Sequence, residues 1–230
     1  MKFSWTRKAT QSYKHARNAL KTADDLFQFA KSTGGKPSTA ERALFAATIV
    51  FIYGIWENFV EQLAIEIVSN LAPVIEPSKL PNKIRKKLEG KSAWELLVHP
   101  GWRELWLELV KTEAVGDDSR HGLNTAKSSS VQHLLGLAGL ENVFASLPPT
   151  VFDAIPEHIM DSIVGLEKSY SASISSALDS FVTLRGEIVH TGKVPQTLKK
   201  HHVKSWKSFI EVLIKEIDSS CRTMSKEYLS

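Results

Sequence analysis

The most apolar stretch of the chain, residues 43–56, reads ALFAATIVFIYGIW. Its 14 residues are fewer than the roughly 20 that a membrane-spanning helix needs, so we interpret it as a buried helix. Ser38 and Glu41 lie just upstream at the spacing of a capping box, which predicts where this helix begins. The pattern continues to about residue 70. Because its first half is apolar on nearly all sides, we predict the central helix of a bundle.

Helical periodicity extends outward from this stretch over most of the chain. Amphipathic patterns cover about residues 5–31, 102–114 and 196–228, and a helix that begins near residue 157, with Gly165 as a candidate interruption, ends at His190. Shorter helical patterns cover residues 82–88, 93–98, 131–137 and 140–147, and residues 116–130 form a polar loop. We therefore predict an all-α fold, an up-down bundle of four to five long helices. It forms one domain of residues 1–230, with a helical insertion at residues 73–149.

Composition excludes several classes of protein. The chain has 230 residues, a formal net charge of +4 and a single cysteine, Cys221, which excludes an internal disulfide and a cysteine-rich zinc site. The histidines, His201-His202 included, show no metal-binding spacing, so we predict no metal and no cofactor. The N-terminal residues lack the apolar core of a signal peptide. We expect a soluble, cytoplasmic protein without membrane association.

The helix that ends at His190 carries an arginine on its apolar stripe. Arg185 lies about 20° from Ile174 around an ideal helix, on the side that faces the core. A guanidinium there must be paired or must face a cleft, because an isolated buried charge is costly. Two interpretations stay open: an ion pair with Glu57 or Glu61 of the central helix, or an anion-binding cleft.

His190 lies near the end of the same helix, where Gly192 is placed to adopt the left-handed cap conformation. The carbonyl groups of a helix C-terminus favour the charged imidazolium. Arg185 and His190 point about 140° apart on an ideal helix, so one helix does not easily bring them together. A second copy of the chain across a two-fold axis would do so, which points to a dimer.

Residues 181–192, FVTLRGEIVHTG, place an R-x4-H motif at the end of a long helix in an all-helical chain. This arrangement resembles the HEPN superfamily (higher eukaryotes and prokaryotes nucleotide-binding domain), a bundle of four to five helices with such a motif before its last helix. The apolar helix that continues into Trp56-Glu57-Asn58-Phe59 resembles the glutamate-bearing helix of the RiboL-PSP-HEPN and MAE-type branches. The resemblance covers about residues 10–225.

The resemblance implies a metal-independent endoribonuclease that leaves 2′,3′-cyclic phosphate ends. It implies a toxin or defence effector that acts on RNA as a homodimer, together with an antitoxin or defence partner protein. By this likeness Arg185 would bind the scissile phosphate, and His190 would take or give the proton. We assign Glu57, Glu187 and Thr191 as supporting residues.

A cluster of lysines follows the motif. Lys193, Lys199, Lys200 and Lys204 lie within fourteen residues of His190. A cluster of this kind is often only a solvated surface. Beside a phosphate-binding motif, we predict that these lysines contact the RNA backbone.

One position departs from the family pattern. Gly186 follows the arginine, where the family commonly has Asn, Asp or His. This departure keeps a second hypothesis open, a non-catalytic HEPN module that binds RNA or a partner protein. A third is a helical scaffold in which Arg185 only closes a buried ion pair.

Overall fold

The computed structural model describes residues 5–29, 37–80, 82–87, 101–117, 120–123, 125–164 and 169–229. Within these ranges the chain is almost entirely helical, which confirms the predicted all-α fold. The α-helices are α1 (Gln11–Gln28), α2 (Thr39–Leu71), α3 (Asn82–Lys87), α4 (Trp102–Val115), α5 (Ser128–Leu137), α6 (Pro149–Asp153), α7 (Glu157–Val164), α8 (Tyr170–Thr191) and α9 (Lys200–Glu227). Short 3-10 helices cover Trp5–Arg7, Pro77–Lys79 and Val143–Ser146.

Helix α2 is the centre of the bundle. Ser38 accepts from the Glu41 N–H, and the Glu41 carboxylate accepts from the Ser38 N–H, so the predicted capping box is formed. From there α2 runs for 33 residues and packs against α1, α4, α5, α8 and α9. Most of its large side chains, among them Trp56 and Phe59, are fully buried, whereas Phe51 is 36% exposed. Burial against several neighbouring helices is the physical reason for its apolar sequence.

By length and hydropathy alone, α2 could cross a membrane. The helix is longer than the 14-residue apolar stretch, residues 43–56, that lies in its first half. Of its apolar 18-residue window, 56% is buried inside the protein. A buried core helix passes the same test of length and composition. The length and hydropathy of α2 therefore do not show that it lies in a membrane.

Two carboxylates attach the start of α1 to the rest of the bundle. Glu66 of α2 accepts hydrogen bonds from the backbone N–H groups of Gln11 and Ser12 and from the Ser12 hydroxyl. Asp218 of α9, 2% exposed, accepts from the N–H and hydroxyl of Thr10 and from Nε of Arg222. Both carboxylates lie where the unpaired N–H groups of a helix start carry partial positive charge.

The predicted insertion, residues 73–149, contains α3, α4 and α5 together with a short antiparallel ladder. The ladder pairs β1 (Gly116–Asp117) with β2 (Arg120–His121), where the sequence predicts only a polar loop. Residues 140–147, predicted as a helix, contain the shorter 3-10 turn. The predicted helix at residues 93–98 lies outside the described residues. Trp102 and Trp106 of α4 are buried, so they serve the core.

The helix predicted from residue 157 to His190 is two helices. Helix α7 ends at Val164, and α8 begins at Tyr170 after its cap at Ser169. Residues 165–168 lie outside the described part of the chain. Helix α8 packs against α2, α5, α6 and α7, so the helix that bears the R-x4-H motif is held on several sides.

We expect Asp218→Ala to lower the free energy of unfolding by about 3–5 kcal/mol, because it leaves the Arg222 guanidinium half-buried and uncompensated. Urea denaturation monitored by circular dichroism measures the loss. Lys215→Ala, which breaks a surface pair with Glu216 on the same helix, is the control and should leave the urea midpoint nearly unchanged. Equal midpoints for the two variants would contradict this account of Asp218.

Candidate functional site

Helix α8 positions the motif through caps at both ends. Ser169 accepts from the Ala172 N–H at its start, and Gly192 ends it at φ 63° with its N–H bonded to the Ile188 carbonyl. The left-handed cap predicted for Gly192 is therefore confirmed. Asp179 in the middle of the helix accepts from the N–H and hydroxyl of Ser128 at the start of α5. These contacts determine the position of α8 along its axis.

Arg185 lies against an aromatic ring of the central helix. Its guanidinium carbon is 4.4 Å from the ring centroid of Tyr53, which is a cation–π contact. The side chain of Arg185 is half-buried, and its Nε atom is buried without a hydrogen-bond partner. The arginine thus faces the core, as its place on the apolar stripe predicts.

Of the two interpretations that the sequence leaves open for Arg185, the ion pair with Glu57 or Glu61 is wrong: in the part of the chain that the structure describes, Arg185 forms no ion pair. The Glu57 carboxylate instead accepts from the Tyr53 hydroxyl at 2.6 Å. The same hydroxyl accepts from the Ala126 N–H at 3.1 Å, so Tyr53 is held at both the ring and the oxygen. The physical reason is that the Tyr53 ring covers one face of the Arg185 guanidinium, while the Tyr53 hydroxyl donates to the Glu57 carboxylate.

The Glu57 and Glu61 side chains lie one turn apart on α2, both half-buried. Burial raises the pKa of Glu61 to about 7, and the negative charge of Glu57 contributes to the rise. Burial also raises the pKa of Tyr53, and its hydrogen bond to Glu57 raises it further, so its hydroxyl stays protonated. The site therefore contains a carboxyl that changes its charge near neutral pH.

His190 is exposed, one turn after Gly186. No hydrogen bond among the described residues joins it to Arg185, and on an ideal helix the two side chains point about 140° apart. Thr191 donates to the Glu187 carbonyl at 2.6 Å and accepts from the Lys193 N–H at 3.0 Å, which ties down the helix end. A Cβ at Gly186 would meet His190 Cδ2 at 4.0 Å, an ordinary contact, so the space for a larger side chain is open.

The predicted RNA-binding lysines lie on the connector after α8 and the first turns of α9. Lys193, Lys199 and Lys204 are exposed, and Lys200 is half-buried. Hydrogen bonds from Ser38 lower the pKa of Glu41, and the charge of Lys200 lowers it slightly more. This places Lys200 near the start of α2, so part of its charge is already matched by a carboxylate.

The described residues contain no group of three or more His, Cys, Asp or Glu side chains arranged to hold a metal ion. His201 is exposed, whereas His202 is half-buried and stacks on His158 of α7 with ring centroids 4.1 Å apart.

Sequence reasoning did not identify Tyr53 as part of the site. A signal was present, because Tyr53 stands four residues before Glu57 and two side chains at that spacing share one helix face. What the sequence could not show is that Arg185 of α8 packs on that same face. Of the three predicted supporting residues, Glu57 lies beside Tyr53, whereas Glu187 and Thr191 are exposed at the end of α8.

We expect Glu61→Gln to be more stable than wild type by about 1 kcal/mol at pH 8, which corresponds to about 2–4 °C in Tm. The gain is small because Glu61 is half-exposed, so solvent screens its charge. The folded state holds the Glu61 proton more tightly than the unfolded state, so wild type loses stability as the pH rises from about 5 to 8. At pH 5 the difference should shrink toward zero. Thermal unfolding at both pH values measures it.

The control is Glu108→Gln, which removes an exposed carboxylate of α4 and should shift Tm equally at both pH values. A Glu61→Gln shift that does not depend on pH would contradict the raised pKa.

No curated protein and no solved structure matches the chain. The model of the RiboL-PSP-HEPN family matches residues 12–223, which include α2, the helix with Arg185 and His190, and most of α9. With that match over most of its length, the chain belongs to the RiboL-PSP-HEPN family of the HEPN superfamily.

Proposed function

We propose that the protein is a metal-independent endoribonuclease whose working groups are Arg185 and His190 of two protomers. The observation that carries this proposal is the state of Arg185. It is half-buried on the Tyr53 ring, and among the described residues no carboxylate neutralises it. A guanidinium in that state keeps its charge and its outer N–H groups for a phosphate.

In the proposed reaction, the His190 imidazole removes the proton of an RNA 2′-hydroxyl, and the 2′-oxygen attacks the adjacent phosphorus. The bond from phosphorus to the 5′-oxygen breaks, and that oxygen takes a proton from the partner subunit's His190. Arg185 binds the phosphate oxygens on which negative charge builds. The products are a 2′,3′-cyclic phosphate and a 5′-hydroxyl. Histidine suits both steps because an imidazole gains and loses a proton near neutral pH.

A homodimer is part of the proposal because helix geometry points Arg185 and His190 of one protomer in different directions. On an ideal helix Val189 points between them, about 40° from Arg185 and about 100° from His190. Its side chain is 47% exposed, although it is apolar. A second protomer on this side of α8 would cover Val189 and bring two copies of His190 to one cleft. The exposed lysines beside the cleft would contact the RNA backbone.

The biological setting follows from the family likeness and is equally a proposal. We place the protein in the cytoplasm as a toxin or defence effector, controlled by an antitoxin or other partner protein. Gly186 favours a second candidate, a HEPN module that binds RNA or a partner protein without cleaving RNA. The family commonly has a polar side chain at this position, and glycine provides none.

We expect purified wild type to cleave RNA in EDTA, with a cyclic phosphate on the product. His190→Ala and Arg185→Ala should each lower the rate about 100-fold or more, because one removes the proton carrier and the other the charge at the phosphate. Gel assays on a panel of transfer and messenger RNAs measure the rates, and phosphatase treatment identifies the ends.

The matched controls are His15→Ala and Arg17→Ala, which remove exposed side chains of α1 and should cleave like wild type. Cleavage that survives His190→Ala would overturn the ribonuclease assignment. Salt-dependent RNA binding without any cleavage would establish the non-catalytic module in its place.

We expect Val189→Glu to convert a wild-type dimer into a monomer, because a charge in the proposed contact would be buried without a partner. Light scattering after size-exclusion chromatography measures the mass. Leu105→Glu, at a side chain 59% exposed on α4, is the control and should stay dimeric. A monomeric wild type, or a dimeric Val189→Glu, would refute the proposed contact.

A further inference from the structure

A cavity of about 290 Å³ lies on the flank of α8 away from Tyr53, enclosed by α7, α8, α9 and the connector between α8 and α9. Its wall is formed by three aromatic rings, His158, His202 and Trp206, and by the aliphatic side chain of Leu184. The hydroxyl-bearing Ser180 lies on the same wall. A cavity of this kind, mostly apolar with a few polar groups, has the composition of a small-ligand site.

Two of the three rings are stacked on each other, and the third meets one of them edge-on. His158 and His202 lie nearly parallel, 22° apart, and His158 meets the Trp206 ring edge-on with centroids 5.7 Å apart. Trp206 is 2% exposed, and its buried Nε1 has no hydrogen-bond partner. Burial lowers the pKa of His202 to about 4 and lowers that of His158, so both rings are uncharged at pH 7. An uncharged imidazole offers one donor and one acceptor beside a flat face.

Charged side chains of both signs lie near this cavity. The exposed Lys199 adjoins His202 through its backbone N–H, which donates to Nδ1 at 3.3 Å. Lys204 and His201 line a neighbouring cleft of about 730 Å³ that shares His158 with the cavity and also contains Asp153 and Glu157. The cavity is therefore a ring-lined pocket within reach of exposed lysines.

One ligand combines flat rings, a hydrogen-bonding edge and an attached negative backbone, namely a base of single-stranded RNA. Stacking on aromatic side chains is the usual way in which proteins hold unpaired bases. The cavity is at the lower end of the usual range for ligand pockets, which fits one base and excludes a larger cofactor. The cavity also lies close to the motif, because Leu184 precedes His190 by six residues, about 9 Å along an ideal helix.

We propose that this cavity binds one base of the RNA strand that His190 cleaves, and thereby sets the base preference of the protein. The inference rests on the proposed function for the identity of the strand. The ring stack supplies the stacking face, the lysines contact the backbone, and the size of the cavity selects among bases.

The test measures binding separately from cleavage. All proteins carry His190→Ala so that the RNA stays intact, and fluorescence anisotropy gives the Kd for decamers of adenylate, cytidylate and uridylate. We expect the preferred decamer to bind about tenfold tighter than the others, which is the affinity ratio that stacking of one base provides. Adding Leu184→Phe, which fills the cavity, should reduce the preference to less than about twofold.

Two further variants keep the test decisive. His202→Ala removes a stacking ring without enlarging any side chain, and it should weaken binding of the preferred decamer by about tenfold. This variant tests the cavity even if Leu184→Phe does not fold. His15→Ala, an exposed histidine of α1, is the control and should keep the preference.

The outcomes separate the two proposals. Equal affinity for all decamers, no binding of any of them, or a preference that survives both cavity variants would overturn the base pocket, even if wild type cleaves RNA. A preference that both variants abolish, in a protein that never cleaves, would support the pocket and reject the ribonuclease.

Discussion

The first half of α2 carries apolar side chains around nearly the whole helix, so no single neighbour excludes water from it. Helices α1, α4, α5, α8 and α9 divide that surface among themselves, and each buries its own apolar stripe against it. The positions of the other helices follow from this constraint. Because α8 is one of them, the motif helix is oriented by the same burial that stabilises the fold.

Apolar burial alone leaves helices free to slide along one another, and polar contacts between the helices limit that freedom here. Glu66, Asp179 and Asp218 each accept hydrogen bonds from backbone N–H groups at or beside the start of another helix. A hydrogen bond of this kind depends on direction as well as distance, so it determines register where packing is permissive. Asp179 is the case that matters for function, because it sets the axial position of α8.

Two arginines of the bundle show how differently the chain treats positive charge. Arg222 is paired with the buried Asp218 at 2.9 Å, which completes a structural contact. Arg185 lies on the Tyr53 ring instead, and the nearby Glu57 bonds the tyrosine hydroxyl. A cation–π contact holds a guanidinium in place without neutralising it. That difference is the physical basis for the proposal that Arg185, and not Arg222, binds an anion.

The sequence by itself determined the all-α fold, the start of α2 at its capping box and the left-handed cap at Gly192, because each depends on local periodicity or on one or two neighbouring residues. It also placed Arg185 on a core-facing stripe and His190 away from it, since both follow from 3.6 residues per turn. Only the tertiary structure decided that Tyr53 meets Arg185, that Glu61 titrates near neutral pH and that His158 stacks on His202. Each of these depends on which face of one helix packs against which face of another. That choice comes from the burial and hydrogen bonding of the whole bundle, so no local stretch of sequence contains it.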